Sequence, residues 1–205
     1  ADRRLQLDGT QLTMIASKHE AHPICGDTSC SDSNHQLSPS KSWTAITSLD
    51  DTPFANTCYY LTKNVTITET WKPKNGVTLC LNGYSIIADG DFDAITVGEG
   101  KTFNLCDCHG GGKITHAAGK SGAGVYMKGA DSEGAGSKNA YFYMYGGTIT
   151  GNTGHTDTVN GVATTRGGGV YVGGYAQFFM RGGSITGNTA AQGGGVYYVA
   201  YNSIY

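Results

Sequence analysis

The sequence is short of charge, and its charged residues form no run of one sign. Lys, Arg, Asp and Glu make up 15% of the 205 residues, and the formal net charge is -2. An average domain has roughly a quarter of its residues charged. This near-neutral balance argues against nucleic acid or an anionic membrane as the partner. No apolar stretch approaches the roughly 20 residues of a membrane span, so we expect no membrane insertion by this part of the protein.

The first 18 residues also lack the apolar core of a signal peptide, which indicates a mature or excised fragment. The chain stops at Tyr205 inside a repeat unit, and an uncovered final coil would expose strand edges that can pair with other chains. We therefore expect the natural protein to continue beyond it.

Glycine, in contrast, is abundant, with 32 residues, and much of it falls in a repeating unit. The unit begins at Gly167 and restarts at Gly193, a period of 26 residues. It contains three short β-type runs, at residues 170–172, 177–180 and 184–186, separated by glycines or by a Gly-Asn-Thr corner. Short strands at a fixed period are typical of a parallel β-helix, and the usual crossover rule predicts a right-handed one.

Alternation within the runs predicts which side chains point inwards, as three ladders of like residues. The ladders are Ile95, Val125, Val170 and Val196; Phe103, Phe142 and Phe178; and Ile114, Ile149 and Ile185, with Leu79 and Ile86 in an earlier coil. Inserted loops at 129–139 and 154–165 absorb the irregular spacing. Asn152 and Asn188 occupy equivalent corners, where asparagine tolerates a left-handed backbone and can bond along the stack.

Residues 19–35 contain the densest group of potential metal ligands. His22, Cys25, Cys30 and His35 follow the spacing His-x2-Cys-x4-Cys-x4-His, with His19 as a fifth candidate. Two thiolates and two imidazoles satisfy tetrahedral Zn²⁺. We therefore predict one structural zinc ion that holds an N-terminal cap. The alternative is a Cys25–Cys30 disulfide, with histidines nearby that bind no metal.

The predicted fold is all-β: a right-handed parallel β-helix with three strands per coil and about four to five coils. Residues 1–64 form a lead-in and a zinc-clipped, Cys/His-rich irregular cap, and residues 65–205 form the β-helix. The remaining cysteines are Cys58, Cys80, Cys106 and Cys108. We favour buried thiols for them, and a Cys58–Cys80 bond stays open as the alternative.

The sequence offers no catalytic constellation, so we expect no enzyme activity. Polysaccharide-cleaving β-helices carry clustered carboxylates on adjacent coils, and the outward strand positions here have none. Asp89, Asp91 and Asp93 suit a solvated turn better than a cation site. His116 and His155 fall in predicted loops without an adjacent acid or nucleophile, and Arg166 and Arg181 look isolated.

Outward aromatic residues are the candidate binding surface. Tyr126, Tyr171 and Tyr197 form one predicted stripe, and Tyr143 and Phe179 form a second. A stacking ladder explains any single tyrosine equally well. Two stripes beside inserted loops favour contact with a partner.

Four features resemble the β-helix repeat regions of large adhesin-like surface proteins of Gram-positive gut bacteria. They are the short motifs LCLNG at 79–83 and NLCDC at 104–108, the run GGTITGNT at 146–153, and a His/Cys-rich segment ahead of Trp43. The resemblance covers about residues 19–205 and implies an extracellular, cell-surface location. Some such surface proteins bind host immunoglobulin.

The expected function is thus non-catalytic binding by a monomer. The expected partner is a secreted host protein, with immunoglobulin as the first candidate and a mucin glycoprotein as the second. A carbohydrate-binding or polysaccharide-cleaving β-helix and a passive structural stalk are the alternatives.

Overall fold

The structure is a computed structural model that describes residues 3–8, 11–16, 19, 21–33, 35–36, 42–131, 138–159 and 161–199. Within these ranges it has nineteen strands and one short 3-10 turn, Leu49–Asp51. The strands are β1 (Arg3–Asp8), β2 (Gln11–Ala16), β3 (Trp43–Ile46), β4 (Cys58–Leu61), β5 (Val65–Ile67), β6 (Val77–Cys80), β7 (Ile86–Ala88), β8 (Ile95–Val97), β9 (Thr102–Cys106), β10 (Lys113–His116), β11 (Val125–Lys128), β12 (Ala140–Met144), β13 (Thr148–Ile149), β14 (His155–Val159), β15 (Val162–Arg166), β16 (Val170–Gly173), β17 (Ala176–Met180), β18 (Ser184–Ile185) and β19 (Val196–Tyr198). No helix within the described ranges is long and apolar enough to cross a membrane.

Fifteen of these strands form three parallel sheets. Sheet 1 has the order β3-β4-β6-β9-β12-β17, sheet 2 the order β5-β7-β10-β13-β18, and sheet 3 the order β8-β11-β16-β19. From β4 onwards the chain visits sheets 1, 2 and 3 in turn, with Trp71 bridging to Ile95 in the place of an early sheet-3 strand. β1 with β2, and β14 with β15, are antiparallel pairs outside these sheets. The protein is therefore all-β with parallel sheets, an arrangement consistent with the predicted solenoid.

The predicted ladders are confirmed by the strand register. Val125 lies opposite Ile95 and Val170, and Val170 lies opposite Val196. The phenylalanine and isoleucine ladders align in the same way, as Phe103, Phe142 and Phe178 in sheet 1 and Ile114, Ile149 and Ile185 in sheet 2. Phe103 and Phe142 are fully buried, and their rings stack with centroids 5.4 Å apart. These stacked apolar side chains form the core between the three sheets.

The register of the earlier coil differs by two residues from the prediction. Val77, not Leu79, lies opposite Phe103, and Leu79 lies opposite Leu105. Leu79 still points inwards, because a shift of two residues keeps a side chain on the same face of a strand. The distance along the chain from the aligned residue to Ile86 is therefore two residues longer than predicted. These two residues are accommodated in the turn after β6, where Asn82 and Gly83 both have positive φ.

The parallel stack also begins earlier than residue 65. β3 and β4 lie within the predicted irregular cap, yet they extend sheet 1 by two parallel strands. Tyr59 in β4 is buried opposite Leu79, and Trp71 packs edge-on against Phe103 at 5.4 Å. Tyr59 of the predicted cap thus belongs to the core, together with Trp71 of the predicted β-helix.

Polar corners link successive coils. The backbone N–H and Nδ2 of Asn152 donate to Asn188 Oδ1 at 3.1 and 2.8 Å, which confirms the predicted bonding along the stack. The left-handed backbone at these corners is taken by Gly151 and Gly187 instead of the asparagines.

The Asp-rich turn is solvent-exposed at Asp89 and Asp91, as predicted, and it is also bonded to the next coil. Asp91 Oδ1 accepts the backbone N–H of Ser121 at 3.0 Å, and Asp93 Oδ1 accepts that of Ala123 at 2.9 Å. These carboxylates therefore fix a corner of the stack.

Candidate metal centres

The His/Cys-rich segment, residues 19–35, lies along the outer face of sheet 1. The His19 ring stacks on Tyr60 of β4 at 3.9 Å, and the His35 ring meets the edge of Tyr145, just after β12, at 4.9 Å. Between them, a Cβ added at Gly26 would lie 3.4 Å from Cys106 Cβ, so the backbone packs closely on β9. The segment thus covers the side of the stack, whereas the sequence predicted a cap on its first coil.

The first metal group consists of His19, His22, Cys80 and Cys108, whose ligand atoms all lie within 4.8 Å of one another. The two Nε2 atoms of His19 and His22 are 3.0 Å apart, and the two sulfurs are 3.3 Å apart. Tetrahedral zinc, with bonds of about 2.0 to 2.3 Å, spaces its ligands about 3.3 to 3.8 Å apart. The group is therefore close to the geometry of a four-ligand zinc centre.

The histidines of this group are held in place by their neighbours. His22 Nδ1 is 2.7 Å from the Pro23 carbonyl oxygen, a contact in which the protonated Nδ1 donates and Nε2 keeps its lone pair for a metal. Trp43 Nε1 donates to the His22 carbonyl oxygen at 2.9 Å. The tryptophan that follows the His/Cys-rich segment thus positions a ligand.

The cysteines of this group come from neighbouring strands of sheet 1. Cys80 is the last residue of β6, and Cys108 follows the end of β9 by two residues. Between Cys106 and Cys108, Asp107 accepts the backbone N–H groups of Gly83 and Gly112 at 2.7 and 2.8 Å, which fixes the turn. The sheet register places Cys80 beside Cys106, and the turn after β9 then brings the Cys108 sulfur to within 3.3 Å of the Cys80 sulfur.

Both thiols are stabilised in their protonated form when no metal is bound. Burial raises the pKa of Cys80 above its ordinary value. Contact with Cys80, and then burial, raise the pKa of Cys108, whereas His22 acts in the opposite direction. Because a metal binds the thiolate, binding displaces these protons, and the affinity for a metal falls as the pH is lowered.

The second metal group consists of Cys25, Cys30 and His35, again with ligand atoms within 4.8 Å of one another. Successive tight turns create it: Gly26 N–H donates to Pro23 O, and Cys30 N–H donates to Asp27 O. The Ile24 N–H donates to the His35 carbonyl oxygen at 2.9 Å, which closes the loop. The turns therefore bring the two sulfurs and one imidazole together without help from the sheets.

The structure divides the predicted zinc ligands between the two groups. Cys25, Cys30 and His35 stay together, whereas His22 lies before the turn at Pro23 and faces the sheet beside His19. The sequence reasoning missed Cys80 and Cys108. Alternation offered a signal for Cys80, since it follows the inward Leu79 and so points outwards from the core. All six cysteines lie in described residues, and no disulfide joins any two of them.

The first aromatic stripe is covered in part: Tyr171 is buried, whereas Tyr126 and Tyr197 are half-buried. Tyr126, Tyr171 and Tyr197 stack with centroids 5.1 and 5.5 Å apart, as a ladder. The segment predicted as a loop at 154–165 forms the hairpin β14–β15, whose His155 stacks on Tyr126 at 4.1 Å. Tyr171 is only 8% exposed, and burial raises its pKa. The other predicted loop, at 129–139, lies partly outside the described residues.

One member of the second aromatic stripe, Tyr143, lines a cavity. Tyr143 and Phe179 stack at 4.8 Å and are half-buried, and the Arg181 guanidinium lies 5.9 Å from the Phe179 ring centroid. The cavity, of about 430 Å³, is lined by Asn104, Tyr143, Tyr145 and Arg181 on one side and by Ile24, Asp32 and His35 of the N-terminal segment on the other. The second metal group therefore lies at the wall of an aromatic cavity.

Two residues that looked isolated in the sequence have acidic partners. His155 Nδ1 lies 2.6 Å from Asp93 Oδ2, and its Nε2 lies 3.5 Å from Asp157 Oδ1. Arg166 donates to Asp157 Oδ2 at 3.0 Å. The expectation that His155 has no adjacent acid was wrong, because the hairpin brings His155 to the distant Asp93 and its own strand supplies Asp157.

No protein-family model, curated protein or solved structure matches the chain.

Proposed function

We propose that the chain is a right-handed parallel β-helix from a bacterial cell-surface protein, and that it binds a secreted host protein without catalysis. We propose further that Zn²⁺, held by His19, His22, Cys80 and Cys108, ties its N-terminal segment to the stack.

The parallel sheets support the β-helix. The chain visits the three sheets in a fixed order, and like residues align from coil to coil. A strand followed by a crossover to a parallel strand is right-handed in nearly all proteins, which gives the handedness.

The composition of the first metal group supports a structural zinc ion. Two sulfurs and two imidazoles fill all four positions of a tetrahedral ion, so none is open for a reacting molecule. The ligands also come from separate stretches of chain, and Cys80 and Cys108 alone are 28 residues apart. Cross-linking distant parts of the chain stabilises the folded state, because binding requires the folded arrangement.

The cavity beside Tyr143 and Phe179 is the observation that carries the binding function. Tyrosine and arginine are enriched among the residues that dominate interface energies, and here Tyr143 and Arg181 border a concave surface. The formal net charge of -2 gives weak long-range steering, so affinity must come from contact. Immunoglobulin is the first candidate partner and a mucin glycoprotein the second, as the resemblance to gut-bacterial surface proteins implies.

The same cavity favours a glycan as the second candidate ligand. Asp32 and Asn104 lie beside its aromatic rings, and a sugar is recognised by polar groups placed around an aromatic floor. A protein partner ranks first because the half-buried aromatic surface extends beyond the cavity to Phe179.

A binding screen of the purified chain tests this function, with immobilised immunoglobulin, mucin before and after removal of its glycans, and free glycans. We expect Phe179→Ala to weaken binding to the partner by about 1 to 2 kcal/mol. Phe54→Ala is the matched control, because Phe54 is a 68% exposed phenylalanine outside the second aromatic stripe, whereas Phe179 stacks on the cavity residue Tyr143. Equal affinities of the two variants would place the binding site elsewhere, and binding to none of the surfaces would favour a passive stalk.

A further inference from the structure

The second metal group supplies three ligands where zinc takes four. Its ligands are Cys25, Cys30 and His35, and no fourth His, Cys, Asp or Glu side chain of the described residues belongs to the group. Three protein ligands and one position left for water or another molecule is the arrangement of zinc sites that exchange ligands. The first metal group can therefore fill all four positions of a zinc ion, whereas the second leaves one position open.

The orientation of His35 shows which of its nitrogens faces a metal. Its Nδ1 lies 3.5 Å from Cys30 Sγ, whereas its Nε2 lies 3.7 Å from Asp32 Oδ2 on the opposite side of the ring. A carboxylate at the far nitrogen is a common way to fix the ring of a metal-binding histidine. Asp32 thus lies near the nitrogen that faces away from the group and does not complete the group.

His35 also lines the cavity, together with Tyr145 and Arg181. Its ring meets the edge of Tyr145 at 4.9 Å. Among the described residues, Arg181 has no carboxylate within salt-bridge distance, and its guanidinium is exposed. The lining of the cavity thus contains a cation, Arg181, and a metal ligand, His35, together with the carboxylate of Asp32.

We propose that the second metal group binds a divalent metal ion whose open coordination position faces this cavity, and that a carboxylate of the bound partner takes that position. The carboxylate displaces a water molecule from the ion, and Arg181 donates hydrogen bonds to the same carboxylate. Both a zinc ion and a guanidinium bind carboxylate oxygens well. Metal binding by this group stands without the proposed function, whereas the carboxylate's source in a host protein rests on it.

The experiment begins by counting metal ions. The full chain, reduced and then reconstituted with Co²⁺, is expected to hold two ions. Cys30→Ser and Cys108→Ser, which each remove a sulfur from one group, are expected to hold one ion each. One ion in the unaltered chain with no loss in Cys30→Ser would overturn the proposal. A Cys25–Cys30 disulfide in the protein as isolated, found by mass spectrometry of its peptides, would overturn it as well.

The open position is then tested with acetate as the probe. Acetate is expected to change the visible spectrum of Co²⁺ in Cys108→Ser, where the second group alone is filled, and acetamide at the same concentration is the neutral control. In Arg181→Gln/Cys108→Ser the acetate concentration for half the change should rise about tenfold, as the loss of a charge-assisted hydrogen bond predicts. No response to acetate would mean a closed site. A failed immunoglobulin screen with an intact acetate response would refute the host partner alone.

Discussion

At the scale of single residues, Asn152 shows how a small polar side chain joins three coils. It is 1% exposed, and its amide nitrogen donates to the carbonyl oxygens of Ile114 and Thr150 and to Asn188 Oδ1. Its Oδ1 lies 2.7 Å from His116 Nδ1. A shorter side chain would remove the bond to the buried His116 Nδ1, whereas the Ile114 carbonyl oxygen would keep the N–H of Thr150 and Asn188 Oδ1 the backbone N–H of residue 152.

We therefore expect Asn152→Ala to lower the free energy of unfolding by about 2 to 3 kcal/mol, because it leaves a buried polar group unsatisfied. Asn188→Ala is the matched control at the next corner. Asn188 is half-buried, so water can replace its bonds and the loss should be about 1 kcal/mol or less. Urea unfolding of both variants measures the difference. Equal losses would mean that burial at this corner has little effect.

At the scale of elements, the hairpin β14–β15 covers the tyrosine ladder and is anchored electrostatically. His155 lies between Asp93 of an earlier coil and Asp157 of its own strand. Hydrogen bonding to Asp93 is the main cause that raises the pKa of His155 above its ordinary value. The protonated ring therefore attaches the hairpin to the side of the stack.

This raised pKa predicts a pH dependence with a definite sign. The stabilisation is complete below the ordinary histidine pKa of about 6.5, and it is lost as the pH rises through the higher pKa of the folded state. The free energy of unfolding should therefore fall with rising pH over this window in the unaltered chain. His155→Gln should remove that part of the slope. A slope unchanged by the substitution would contradict the anchoring role.

At the scale of the whole molecule, burial of one ladder changes sharply between neighbouring coils. Met144 and Met180 occupy the same register position in β12 and β17. Met144 is fully buried, whereas Met180 is 46% exposed. Val196 in β19 is exposed to a similar degree, at 43%. In a stack, an inner side chain gains contacts from the coils on both sides.

The two methionines therefore form a matched pair for testing the stack. Met144→Ala should lower the free energy of unfolding by about 2 to 5 kcal/mol, because it opens a cavity in the core. Met180→Ala should cost less than about 1 kcal/mol, because solvent already reaches the side chain. Urea denaturation of the two variants checks this difference. Similar costs for the two would contradict the stacking order of these coils.

The sequence alone determined the repeat and the inward faces from β8 onwards. Both depend on local patterns, because a side chain's face follows from the alternation of a strand and the stacking follows from a constant period. The ladder of Phe103, Phe142 and Phe178 was readable for this reason. The error at Leu79 arose where a turn changed length, which alternation cannot detect, since a shift of two residues preserves the face.

Only the tertiary structure decided the composition of the metal groups and the covering of the tyrosine stripe. Cys80 and Cys108 meet across 28 residues, and His155 meets Asp93 across 62. The spacing of ligands along the chain predicted a single site within residues 22–35, but Pro23 begins a turn that separates His22 from the ligands that follow it. Contacts between distant segments depend on how each inserted segment packs against the stack, and no local pattern in the sequence encodes that packing.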